Sequence, residues 1–206
     1  MKKSSILLRV ALFTGLFLPQ FAAADSDVST QNITLQVDGK ALIKVTPGNN
    51  DGGSTTVKLS LAGANEAGAE VNPIAENDKT RLRISALAGL KADGVTMETR
   101  KVTAQNTGTS LSGTRTKLSI MFTEPNVNFT NRTEGGTLAT DYKILSDTQN
   151  GNTGGAQTLV TAIGTCWSGV GDLDGYVIKY KYEATGGGTP TKKDGVVVTF
   201  TILAES

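Results

Sequence analysis

The sequence predicts an all-β protein, an immunoglobulin-like β-sandwich of about nine or ten strands. Three observations carry this. Residues 195–206 alternate strictly: Val196, Val198, Phe200 and Ile202 share one face, and Val197, Thr199, Thr201 and Leu203 the other, a period-two pattern of β-branched and aromatic residues. Similar short stretches recur along the chain, divided by Gly, Asn, Asp and Pro at spacings of about 8–12 residues. Thr and Gly are abundant, while aromatic residues make up 5%, so the core is expected to be aliphatic.

The first residues read as an address. Lys2, Lys3 and Arg9 form a basic start, residues 6–18 an apolar run, and Ala22-Ala23-Ala24 an A-x-A cleavage site. Residues 1–24 are therefore expected to be a cleaved signal peptide, with 25–206 a single sandwich domain. The apolar run is shorter than the ~20 residues a spanning helix needs, and no Cys follows the cleavage site to carry a lipid anchor. The expected location is the periplasm, the cell surface or the exterior, with no membrane span after cleavage. Cleavage removes three of the 20 Lys and Arg and none of the 19 Asp and Glu, so 17 − 19 leaves −2. With no basic run longer than Lys192-Lys193, a nucleic-acid partner is not expected.

The strands follow in order. Residues 32–37 alternate Ile33, Leu35 and Val37 with polar side chains, Asp38-Gly39 signals a tight hairpin, and 41–45 reads as the partner. Residues 47–53 are a loop by composition. Residues 56–61 form a third strand with Val57, Leu59 and Leu61 inward. From 62 to 79 the periodicity fails and Pro73 intervenes, which predicts a surface excursion with room for a short helix at 64–69. Residues 81–87 resume alternation, 91–94 is a turn, and 96–105 reads as a strand exposed on one face or at an edge. Residues 106–113 are a loop, and 116–122 is a strand with Leu118, Ile120 and Phe122 inward, ended by Glu124-Pro125. Residues 126–136 are irregular. They hold Asn128 and Asn131, which, like Asn32, match an N-glycosylation pattern that means nothing in a bacterial protein. A short strand at 140–146, a Gly/Asn loop at 147–155 and strands at 157–164 and 176–183 follow. In 176–183, Tyr176, Ile178, Tyr180 and Tyr182 share one face. After a flexible loop at 185–190 comes the tail strand, expected to be the last and to sit centrally or well covered.

The chemistry the sequence offers is narrow. It contains no His and one Cys. His-based triads, His-ligated metals and His acid–base chemistry are excluded, and so is an internal disulfide. Cys166 reads as a small buried hydrophobe. Asp172 and Asp174, among the glycines of 169–175, resemble part of a calcium loop but lack the remaining ligands, so a Gly/Asp turn is the stronger reading. No metal and no cofactor are expected. Two binding features stand out. The only Trp, Trp167, lies near Tyr176 and Tyr180 in sequence, which would suit an aromatic platform for sugar rings. Ile33, Leu35 and Val37 follow a polar leader, which would suit a strand exchanged between copies.

The signal peptide, the early strand at 33–37, the Gly/Thr-rich middle and the terminal 196–203 resemble secreted bacterial pilin-like β-sandwiches, nearest the archaic chaperone–usher pilins with spore-coat-U-like domains. That resemblance implies a surface subunit that assembles by strand exchange, although such pilins usually carry a disulfide. Residues 159–169 with 175–180 resemble a pattern of exported bacterial proteins. The expected function is a non-enzymatic structural or adhesive surface protein, whose partners are copies of itself or other surface proteins. The alternative is a carbohydrate-binding module. A carboxylate-dependent hydrolase ranks third, since no acidic pair can be nominated.

Overall fold

Among the described residues ten strands form two antiparallel sheets with one core between them. The structure is a computed structural model that describes residues 39–47, 55–61, 74–111, 113–124, 134–147, 154–184 and 194–205. All of these belong to the unit Gln36–Ser206. The expected signal peptide, the Asn32–Val37 strand with Ile33, Leu35 and Val37, and the three glycosylation-pattern asparagines lie outside the described residues.

The strands are β1 (Lys40–Pro47), β2 (Ile74–Leu87), β3 (Arg100–Asn106), β4 (Thr116–Thr123), β5 (Thr137–Leu138), β6 (Lys143–Asp147), β7 (Gln157–Ile163), β8 (Cys166–Trp167), β9 (Tyr176–Ala184) and β10 (Val198–Ala204). The first sheet runs β1-β2-β9-β4-β6, with β8 also paired to β2; the second runs β10-β3-β7-β5.

Alternation places the core. Leu82, Ile84 and Ala86 of β2, Tyr176, Ile178 and Tyr180 of β9, and Leu118, Ile120 and Phe122 of β4 are buried from the first sheet. Val102 and Ala104 of β3 and Leu159, Val160 and Ile163 of β7 meet them from the second. Most of these are aliphatic, as the composition suggests. The centre is nonetheless aromatic: Phe122 stacks on Tyr176 with ring centroids 5.6 Å apart and meets Phe200 at 5.9 Å.

Three expectations need correction. The region read as an excursion up to residue 79 is strand from Ile74 onward. The charged run Glu76-Asn77-Asp78-Lys79 hides the periodicity because it carries a bulge: the register of β2 against β9 shifts between Asn77 and Thr80. The Asn77 side chain accepts from the Lys79 N–H at 3.0 Å, a local turn that competes with the ladder. The strand read as exposed or at an edge, β3, is instead interior, lying between β10 and β7 with Val102, Thr103 and Ala104 buried. Its expected first residues, from Thr96, belong to a ribbon ahead of it, where Leu90 bridges Met97 and the Lys91 N–H donates to the Thr96 carbonyl. The third correction concerns β10, which among the described residues pairs only with β3 and so lies at the edge of its sheet rather than at the centre.

On the outer face of the first sheet, Glu183 lies opposite Lys117 in register. Its carboxylate meets Lys117 Nζ at 3.0 Å and Lys181 Nζ at 2.8 Å. Partial burial alone would raise its pKa, but hydrogen bonds and charge from Lys181 and Lys117 outweigh it and hold Glu183 below the usual carboxylate range. A carboxylate depressed in the folded state stabilises the fold above its unfolded pKa, and that stabilisation is lost as pH falls through the folded value. Glu183→Gln should therefore cost about 1 kcal/mol at pH 7. It should cost progressively less as pH drops below the ordinary carboxylate range, which urea titrations at several pH values would show. An equal cost at all pH values would rule the ion cluster out as the cause.

Candidate functional site

Among the described residues the two sheets have four edges, and their sequences treat them differently. In β5 the edge is two residues long. In β6 it is five residues and carries Lys143 and Asp147. β1 presents Lys40 and Lys44 to solvent and ends in Pro47. Shortness, lysines and proline are the usual means of keeping an edge from recruiting another strand. β10 has none of them: from Gly195 to Ala204 the chain contains no charged residue and no Pro.

The ladder identifies which backbone groups of β10 face outward. Carbonyls of Gly195 and Val197 accept from Thr109 and Thr107, and the Glu205 N–H donates to Thr99. Odd-numbered residues thus bond toward β3. In an antiparallel ladder the N–H and C=O of alternate residues point to opposite sides, so those of Val196, Val198, Phe200, Ile202 and Ala204 face away from β3, on the side where no described strand pairs. β1, the edge of the other sheet, touches β10 across the layer. On this flank Ile43 and Val45 of β1, and Val198, Phe200 and Ile202 of β10, pack on the core yet stay half-exposed. Residues 56–61, expected to be a strand, alternate in burial and set Val57 and Leu59 against the core, but they belong to no strand among the described residues.

The second surface surrounds Trp167. The structure does not bring Trp167, Tyr176 and Tyr180 together on one exposed platform. Trp167 pairs with Ser85 in the β2–β8 register, and Tyr176 pairs with Leu82 across β2–β9. Cross-strand partners share a face. Ser85 is exposed and Leu82 is buried, so Trp167 lies on the outer face and Tyr176 on the inner one. Tyr180, opposite Ile120, is also a core residue. The Tyr176 hydroxyl donates to the Gly135 carbonyl, and burial raises the pKa of both tyrosines. Their role is packing.

Trp167 is 46% exposed on a base that is clamped at both ends. The Ser168 N–H donates to the Ile84 carbonyl at 2.9 Å, Ser168 Oγ accepts from the Ile84 N–H at 3.0 Å, and Thr165 Oγ1 accepts from the Ala88 N–H at 3.0 Å. Cys166 between them is buried, and burial first, then the charge of Glu134, pushes its thiol up to about 11. It is a packing residue, not a nucleophile.

The turn 169–175 closes on itself. Asp174 is buried and accepts from the Gly171 N–H at 2.6 Å, while Asp172 meets Arg83 Nη2 at 3.7 Å. Arg83 also donates to the Gly171 carbonyl. Among the described residues no three acidic or sulfur side chains gather where they could hold a metal ion, and no helix is long and apolar enough to cross a membrane. No family model matches this chain, and neither does any curated protein or solved structure.

Proposed function

We propose that this protein is a non-enzymatic, exported structural or adhesive subunit that associates with further copies of itself through the edge of β10. The observation that carries the reading is the contrast among the four edges. Among the described residues three are short, charged or proline-ended, and β10 alone offers a long, neutral, proline-free row of outward N–H and C=O groups beside half-exposed apolar side chains. Adding a strand there pairs those groups and completes the cover over Val198, Phe200 and Ile202. The incoming strand needs alternating apolar side chains, the pattern that Ile33, Leu35 and Val37 present.

Two substitutions test this without dismantling the core. Val198→Pro removes an N–H that β3 does not use and keeps a small apolar side chain. Thr199→Lys puts a charge on the solvent face of the edge. Light scattering behind size-exclusion chromatography of the chain from Asp25 should show concentration-dependent oligomers. Val198→Pro should weaken association at least tenfold, and Thr199→Lys should weaken it to a smaller extent, with both monomers keeping the wild-type circular-dichroism spectrum. A wild-type chain that stays monomeric up to high micromolar concentration, or variants that associate as well as wild type, would sink the proposal.

A further inference from the structure

We infer that the outer face of the first sheet around Trp167 is a carbohydrate-binding platform that takes a pyranose ring of a neutral glycan. The inference is independent of the β10 edge, which belongs to the other sheet.

The register builds the platform row by row. Leu42 of β1, Ser85 of β2 and Trp167 of β8 lie side by side across three adjacent strands. At ordinary strand spacing, Leu42 and Trp167 are about 10 Å apart. Leu42 is 60% exposed, and the small Ser85 between the two large side chains leaves a shallow apolar trough with a hydroxyl at its floor. One pleat along, about 7 Å away, lies the row of Lys44 and Arg83, with Asp172 held against Arg83. The guanidinium is anchored through Nη2 to the Gly171 carbonyl and beside Asp172, while its Nε is buried beneath the surface.

A sugar ring needs this combination. One face of a pyranose is a patch of C–H bonds that stacks on an aromatic ring, and its rim is a ring of hydroxyls that both donate and accept. Trp167 supplies the apolar plane. Ser85, Arg83, Lys44 and Asp172 supply donors and acceptors within one pleat of it. A protein partner would bury a broader apolar surface with a depleted charged rim, whereas here Leu42 and Trp167, with Leu87 in the row on one side, are bordered by Lys40 in that row and by Lys44 and Arg83 in the row on the other. The clamps from Thr165 and Ser168 fix the backbone that carries Trp167 against β2, which reduces the ordering cost of binding.

Trp167 is the only Trp in the chain, so intrinsic fluorescence reports on this surface alone. The mature chain should show a saturable shift on titration with at least one of soluble β-glucan, mannan or an N-acetylglucosamine oligomer, and the same glycan should retard it in affinity electrophoresis. In that gel Trp167→Ala should bind at least tenfold more weakly. Trp167→Tyr should retain most of the binding, and Arg83→Met should lose roughly three- to tenfold. Unchanged melting temperatures would establish that the variants are folded. No retardation by any of the three glycans, or full binding by Trp167→Ala, would overturn the inference. A fluorescence response to detergent micelles alone would also overturn it, marking the surface as a plain apolar patch.

Discussion

Phe122→Ala should cost the fold about 4 kcal/mol, the middle of the range for emptying a buried aromatic site. Phe122 is on β4, flanked by β9 and β6, and is 2% exposed. It links the two sheets: its ring stacks on Tyr176 at an interplanar angle of 11° and leans on Phe200 of the opposite sheet at 31°. Truncation removes both ring contacts and leaves a cavity whose walls are strands on either side, and strands held in register cannot collapse into it. Loss of the Phe200 contact also loosens the edge strand from the inside. Urea unfolding gives the measurement. Phe122→Leu, which refills most of the volume, should cost only about 1–2 kcal/mol. A loss below about 1 kcal/mol for the alanine variant would mean that the aromatic centre is not what joins the layers.

The second large effect belongs to Gly175, the residue immediately before β9. Its φ is +96°, and a Cβ there would lie 2.4 Å from the Leu82 carbonyl oxygen and 2.8 Å from its carbon. Those atoms are backbone of β2, the strand that β9 must pair with, so the clash cannot be relieved by a side-chain rotation. Gly175→Ala should destabilise by on the order of 3 kcal/mol, combining backbone strain with displacement of β2. In a domain of this size that lowers the melting temperature by roughly 6–12 °C. Gly94 is the control. Its φ is +68° and a Cβ there meets nothing within 4 Å, so Gly94→Ala should show the backbone part alone, about 1 kcal/mol. Equal melting temperatures for the two variants would remove the steric argument.

Where the sequence was legible, side-chain period carried the information. The strands at 116–122, 157–164 and 176–183 emerge within a residue or two of the expected bounds because each is rich in β-branched or aromatic residues and is bracketed by turn formers. Period reports which face a residue occupies, and says nothing of what pairs with the strand. That is why β10 looks central from its side chains although it is an edge, and why β3, which carries Arg100, Lys101 and Gln105, looks like an edge although it is interior. Elements below one period are silent, and β5 and β8 have two residues each. The same gap explains the aromatic residues. Trp167 and Tyr176 are nine positions apart, but which sheet face each occupies is set by partners on β2 that no local pattern reveals.

The pairing of β2 with β9 joins residues about a hundred positions apart, as in Arg81 with Val177, and β10 must reach back similarly far to Thr103 of β3. Chains dominated by such distant pairings fold slowly, in milliseconds to seconds, because the intervening chain must close a large loop before any contact forms. In that interval β3 is itself an open edge. Any extended strand that reaches it first meets the same row of N–H and C=O groups that β10 pairs with, so docking of β10 is the step that closes this side of the sheet.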